Sequence, residues 1–244
     1  MRYLFICTML LFGILFAEFP DGNKILKAID ENVYSGDIIT TSRMLIHGRR
    51  SSRTVASLSY SQGNNKSFSE YLSPPRDKGT KMLKLGDNLW IYNPSSDRTV
   101  QISGNMLKQS VMGSDLSYED FMDEVELTVL YTALVTGETT YLDRDCWTLE
   151  LIAKSPDVSY EKKILHVDKE KSIPLYEEWY AQSGKLLKSV KVLETAQSGN
   201  RWYAKQAVFK DELKEGKGTE FFIDEIEYDA EIPEYIFSKA MLRK

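Results

Sequence analysis

The sequence predicts a mainly β protein: an antiparallel barrel or strongly curved sheet of about ten to eleven strands, with an N-terminal amphipathic helix and a short loop-helix cover. Three observations carry this. Short runs of alternating apolar and polar residues recur along the chain, separated by turn residues such as Gly86-Asp87, Ser183-Gly184 and Ser198-Gly199-Asn200. Only one stretch shows a clear helical period. A central meander offers a continuous apolar face, and a segment rich in Met and aromatic residues follows it.

The helix comes first. Asp21 caps a run to about Asn32 that sets Ile25, Leu26, Ile29 and Val33 on one side and charged residues elsewhere. Strands follow over Asp37–His47, with Met44 and Ile46 on one face, over Arg53–Tyr60, and over Lys66–Leu72. Pro74-Pro75 stops pairing, and residues 76–79 turn into the meander of Thr80–Leu85, Asn88–Tyr92 and Arg98–Ser103. Alternation within it assigns Leu83, Leu85, Leu89, Ile91, Val100 and Ile102 to one face and Lys84 to the other. A one-residue slip would replace Leu89 and Ile91 by Trp90 and Tyr92.

Residues 108–117 have no clear period, and Ser117-Tyr118-Glu119-Asp120 reads as a helix start with Ser117 as N-cap. Met112, Leu116 and Phe121 make this segment a candidate movable cover over an apolar cavity; otherwise they plug a barrel end. Strand patterns resume over Leu127–Thr136, Cys146–Ala153, Lys162–Asp168, Leu175–Gln182, Leu186–Glu194, Trp202–Lys210 and Glu220–Tyr228, the last alternating Phe222 with Ile226. A short tail, residues 231–244, ends the chain. With no repeat, linker or low-complexity tract, residues 18–244 read as one domain.

Residues 1–17 have the form of a signal peptide. Arg2 is followed by the uncharged apolar run Tyr3–Phe16, too short for a membrane span, and Ala17 suits cleavage, although Leu15 fits the −3 position poorly and leaves an uncleaved anchor open. Cys7 lies inside the apolar run after Ile6, so it is not a lipobox cysteine. The net charge is −5, one unit more negative without Arg2, which argues against nucleic-acid binding and a polybasic membrane footprint. Cys146 is then the one cysteine left and reads as a small buried apolar residue.

Catalytic and metal-binding signals are thin. His47 and His166 are isolated, so no metal site is expected. Gly113-Ser114-Asp115 lacks the nucleophile-elbow spacing, and a triad of Ser114, Asp115 and His166 has no support in sequence. No catalytic residue and no cofactor are expected.

The segments RMLIHGRRSSRT, KSFSEYLSPPRDKGTKMLKLGDNLWIYNPSSDRTVQISG, KQSVMGSDLSYED and IFSKAMLRK resemble bacterial outer-membrane lipoprotein-sorting proteins, a LolA/LolB-like family of exported carriers. The resemblance extends from about Ile25 to the C-terminus. It implies an incomplete, half-open antiparallel β-barrel whose apolar concavity holds the acyl chains of lipoproteins or lipids. It also implies residence in the periplasm of a diderm bacterium and transfer from an inner-membrane exporter to an outer-membrane acceptor. The acceptor class is itself acylated, so the missing lipobox here resembles the soluble carrier. The positions that match the family's motif nominate Leu83, Leu85, Leu89 and Ile91 as cavity wall and Met112, Leu116 and Phe121 as cover. Rival readings are a non-catalytic envelope scaffold and, less in keeping with the residues, a lipid hydrolase.

Overall fold

A computed structural model describes residues 19–33, 36–48, 51–122 and 126–244. The expected signal segment lies outside the described residues. The chain begins with α1 (Gly22–Val33), which Asp21 caps through its side-chain oxygen on the Asn23 N–H at 2.9 Å. Six strands follow: β1 (Asp37–His47), β2 (Ser52–Gln62), β3 (Lys66–Ser73), β4 (Lys81–Leu85), β5 (Asn88–Asn93) and β6 (Arg98–Ile102). Two 3₁₀ turns, at Gly104–Lys108 and Val111–Gly113, lead to α2 (Tyr118–Met122) and α3 (Leu127–Leu130). Seven more strands complete the sheet: β7 (Tyr131–Tyr141), β8 (Arg144–Ala153), β9 (Lys162–Asp168), β10 (Pro174–Tyr180), β11 (Leu186–Ser198), β12 (Arg201–Asp211) and β13 (Thr219–Tyr228).

All thirteen strands form one antiparallel sheet in the order β6-β5-β4-β3-β2-β1-β13-β12-β11-β10-β9-β8-β7. The barrel class is as expected, with two or three strands more than predicted, because every periodic run pairs, including the short ones of the meander. Chain order explains the half-open shape. Each half is a plain meander, the halves join where β1 pairs β13, and β6 and β7 are left as edges. The described parts of the connection between those two edges, residues 103–122 and 126–130, lie across the concave side.

One element differs from expectation. Leu127–Leu130 is a helical turn rather than the start of a strand. Its first amides need acceptors, and Asp30 of α1 supplies them, at 2.7 Å to the Leu127 N–H and 2.9 Å to the Thr128 N–H. No local pattern foretells a cap that lies 97 residues away. Burial raises the Asp30 carboxyl above its ordinary range. The native state therefore holds a proton that the unfolded chain has released, and stability at this group falls as pH rises through that window. The unfolding-temperature difference between wild type and Asp30→Asn should accordingly shrink as pH rises above the ordinary carboxylate pKa of about 3.9, measured in thermal melts; a difference that grows would reverse the sign assigned to Asp30.

The apolar side of α1, with Leu26 and Ile29 fully buried, packs on Tyr131, Ala133, Val135, Leu149, Leu151, Leu165 and Val167 of the inner sheet face. The approach is close: a Cβ at Gly22 would lie 2.5 Å from the Ala133 carbonyl oxygen. Gly22→Ala must push α1 off β7 and should destabilise by about 1–3 kcal/mol, read as a lowered melting temperature. No change would mean that α1 is loosely docked.

The meander shows why single-strand alternation is insufficient. The turn Gly86-Asp87 opposes Leu85 to Asn88, Leu83 to Trp90 and Lys84 to Leu89. Opposed residues share a face, so crossing a two-residue turn exchanges odd for even positions. Met82, Lys84, Leu89 and Ile91 therefore face inward with Val100 and Ile102, while Leu83, Leu85, Trp90 and Tyr92 face outward. Met82, Leu89, Ile91 and Ile102 of the inner set pack under the cover, against Met106, Leu107, Val111, Leu116 and Met122, while Val100 on the edge strand stays exposed. The outer set packs under the C-terminal tail, against Ile232, Ile236, Phe237 and Leu242, with Lys239 4.0 Å over the Trp90 ring.

Candidate functional site

Between the inner sheet face and the cover lies a cavity of about 330 Å³. Its sheet wall comes from Ile38 and Thr40 of β1, Phe209 of β12, and Phe221, Ile223, Ile226 and Tyr228 of β13. A bulge sets that wall. Thr40 opposes Ile226 but Ser42 opposes Ile223, so Asp224 is an extra residue and the inward side of β13 changes parity there. Phe221, Ile223, Ile226 and Tyr228 can then all face the cavity. Phe222 faces out, its ring 5.0 Å under the Arg43 guanidinium, and the expected pairing of Phe222 with Ile226 on one face does not occur. Phe209 and Phe221 meet edge to face at 6.0 Å. Burial pushes the Tyr228 hydroxyl up to about 12, so it stays neutral.

The other walls carry polar groups. Lys163 of β9 is 5 % exposed and lies 4.2 Å over the Trp179 ring, 5.3 Å over Tyr131 and 5.6 Å over Tyr160. Trp179 donates its Nε1–H to Glu177 Oε2 at 2.8 Å. Lys84 reaches the Met122 carbonyl at 2.7 Å, tying β4 to the end of α2. At the base of the cover, Asp120 accepts from the Tyr160 hydroxyl at 2.6 Å, from the Ser117 N–H at 2.6 Å and from Lys188 of β11. The Ser117 contact is the expected capping geometry at the start of α2. Lys188 also donates to Ser117 Oγ at 3.0 Å. The α2 cap is thus also the cover's anchor on the second half of the sheet.

Against these walls the nominated residues divide. Leu116 and Phe121 of the cover line the cavity; Met112 packs with the cluster under the cover and its carbonyl accepts from Arg53. Leu89 and Ile91 lie in that same packed cluster, while Leu83, Leu85, Trp90 and Tyr92 lie on the outer face under the tail. None of these six is among the cavity's lining residues, and Lys84, assigned by alternation to the far face, is. The part of the wall on β13 and β12 was missed. A lysine at position 163 among Leu165 and Val167 on a buried strand face is a signal that could have pointed to the β9 side of the cavity.

The residues weighed for catalysis are dispersed. Ser114 bonds the Leu116 backbone, Asp115 bonds Thr219 Oγ1 at 2.8 Å and the Asp211 N–H at 3.0 Å, and His166 stacks on Tyr176 at 5.2 Å on the outer face. His47 sits between Ser52 and Glu220. Cys146 is fully buried, and burial raises its thiol. Among the described residues no helix is long and apolar enough to cross a membrane.

A half-open antiparallel barrel with a helical segment closed over an apolar concavity is a LolA-like fold. Solved structures agree. A domain from Vibrio parahaemolyticus named for outer membrane lipoprotein sorting aligns with TM-score 0.80 and 24% identity, covering 91% of this chain and 98% of that one. A DUF1329 family protein from Desulfovibrio piger aligns with TM-score 0.82 and 23% identity, covering 90% and 96%. A LolA superfamily protein from Nitrosomonas europaea aligns with TM-score 0.74 and 22% identity, covering 91% and 100%. At these identities the likeness establishes the fold. No curated protein matches the chain. A family model described as "Uncharacterized protein" matches residues 63–244, and the chain belongs to that family.

Proposed function

We propose that this protein is a periplasmic, non-catalytic carrier of acyl chains, taking a lipid or lipoprotein from an inner-membrane exporter and passing it towards an outer-membrane acceptor. The observation that carries this reading is the cavity of about 330 Å³ between Phe221, Ile223 and Ile226 on the sheet and Leu116 and Phe121 on the cover. Burying one methylene is worth roughly 0.8 kcal/mol, so a chain of about fourteen contributes on the order of 11 kcal/mol. Release into water is correspondingly slow, and a recipient must accept the chain directly. The leader over residues 1–17 is the proposed export signal, and residues 18–244 the carrier domain.

The test is a mass spectrum of the organic extract of protein purified without detergent. Intact lipid or an acylated peptide, in molar proportion to protein, is the expected result. Hydrolysed products formed by the protein would replace the carrier with a hydrolase, and an empty extract that stays empty after incubation with vesicles would leave a scaffold.

A further inference from the structure

The cavity shares a wall with a second depression. Leu116 and Tyr160 line both volumes. The outer one, about 820 Å³, is a groove between the cover, the loop over residues 156–161, and Gln182, Leu187 and Leu213 beyond. Polar groups also join the two linings: Asp120 on the inner side bonds Lys188, which lies with Ser117 on the outer. An apolar volume therefore adjoins a polar one through groups that already pair ions and hydrogen bonds.

Size limits what the inner volume takes. An apolar cavity of about 150 Å³ accommodates benzene, so the inner cavity holds roughly a dozen carbons, one chain and not two. Charge limits what the outer volume takes. Its lining has twice as many carboxylates as lysines, with Asp157 and Glu161 on one bank and Asp87 and Glu119 on the other. Such a groove repels an anionic group and accepts an uncharged or cationic one.

The geometry points to a single-chain amphiphile bound across both volumes, its tail in the inner cavity and an uncharged or cationic polar head in the outer groove. This rests on the carrier reading and goes further, by naming the number of chains, the head-group class and the place of the head. The tail passes beside Leu116 and Tyr160, and the head remains next to Ser117 and Lys188.

The test uses four probes that share one chain length: dodecyltrimethylammonium, dodecyl maltoside, dodecanoate and didodecanoylphosphatidylcholine, each below its micellar concentration. Binding is read by native mass spectrometry for stoichiometry and by tryptophan fluorescence, since Trp179 lines the cavity. The first two should bind one to one, dodecanoate about fivefold more weakly than dodecyltrimethylammonium, and the two-chain lipid weakest of all. Glu161→Lys, on the groove and away from the inner cavity, should narrow or reverse the order of the cationic and anionic probes and leave dodecyl maltoside unchanged, which also reports intact folding. Equal binding of one- and two-chain lipids, or a head-group order that survives Glu161→Lys, would overturn this inference while the carrier reading stands. Failure of all four probes to bind would remove both.

Discussion

Truncating Lys188 to Ala should destabilise the protein by about 3–5 kcal/mol, the largest single effect expected on the chain. Lys188 and Asp120 are each 9 % exposed and in contact, and the truncation leaves the carboxylate buried with Tyr160 and the Ser117 N–H as its donors among the described residues. Removing one partner is worse than removing both. Asp120→Leu combined with Lys188→Met replaces the pair by apolar groups of similar volume and should recover most of the loss. Thermal unfolding reads the difference as roughly 6–20 °C for a domain of this size. A Lys188→Ala loss below about 1 kcal/mol would mean that water solvates the pair and that the cover is not anchored there.

The second large effect concerns the cavity. Ile226→Glu puts a carboxylate on the β13 wall where an acyl chain lies in the carrier reading. Leaving that charge unpaired beside hydrocarbon costs several kcal/mol through desolvation or forced protonation, so retention of a bound dodecyl probe should fall by roughly 100-fold. Ile226 is half-buried because its side chain borders empty space, so the fold should tolerate the change better than at a packed position such as Leu89, which is 2 % exposed. Val100→Glu on edge strand β6, 46 % exposed, is the control and should leave retention unchanged. Equal retention by the two folded variants would show that β13 does not line the lipid site.

Much of the architecture was legible in the sequence because it depends on local chemistry. Period-two alternation and turn residues marked the strands, and β1 and β9 carry the expected bounds, Asp37–His47 and Lys162–Asp168. A helical apolar stripe behind Asp21 marked α1 and the side it buries. Ser117 followed three residues later by Asp120 marked the start of α2. Leu116 and Phe121, beside that start, line the cavity; a bulky apolar segment after an apolar sheet face has to cover something.

What the chain order could not disclose is which face each strand presents and what closes over it. Alternation orders residues within a strand, but parity across the Gly86-Asp87 turn depends on how many residues the turn leaves unpaired. It put Leu83 and Leu85 under the tail and Lys84 inward. The bulge at Asp224 did the same for β13, turning Phe222 out and letting Phe221, Ile223 and Ile226 all face the cavity. The Asp30 cap on α3 and the Lys188 anchor of the cover join positions 97 and 68 residues apart. Each stands on burial and on hydrogen bonds that exist only after the sheet has closed from β1 onto β13. The sequence by itself determined which elements form, since that rests on neighbours along the chain; the tertiary structure alone decided which of their faces became a cavity, since that rests on pairing at a distance.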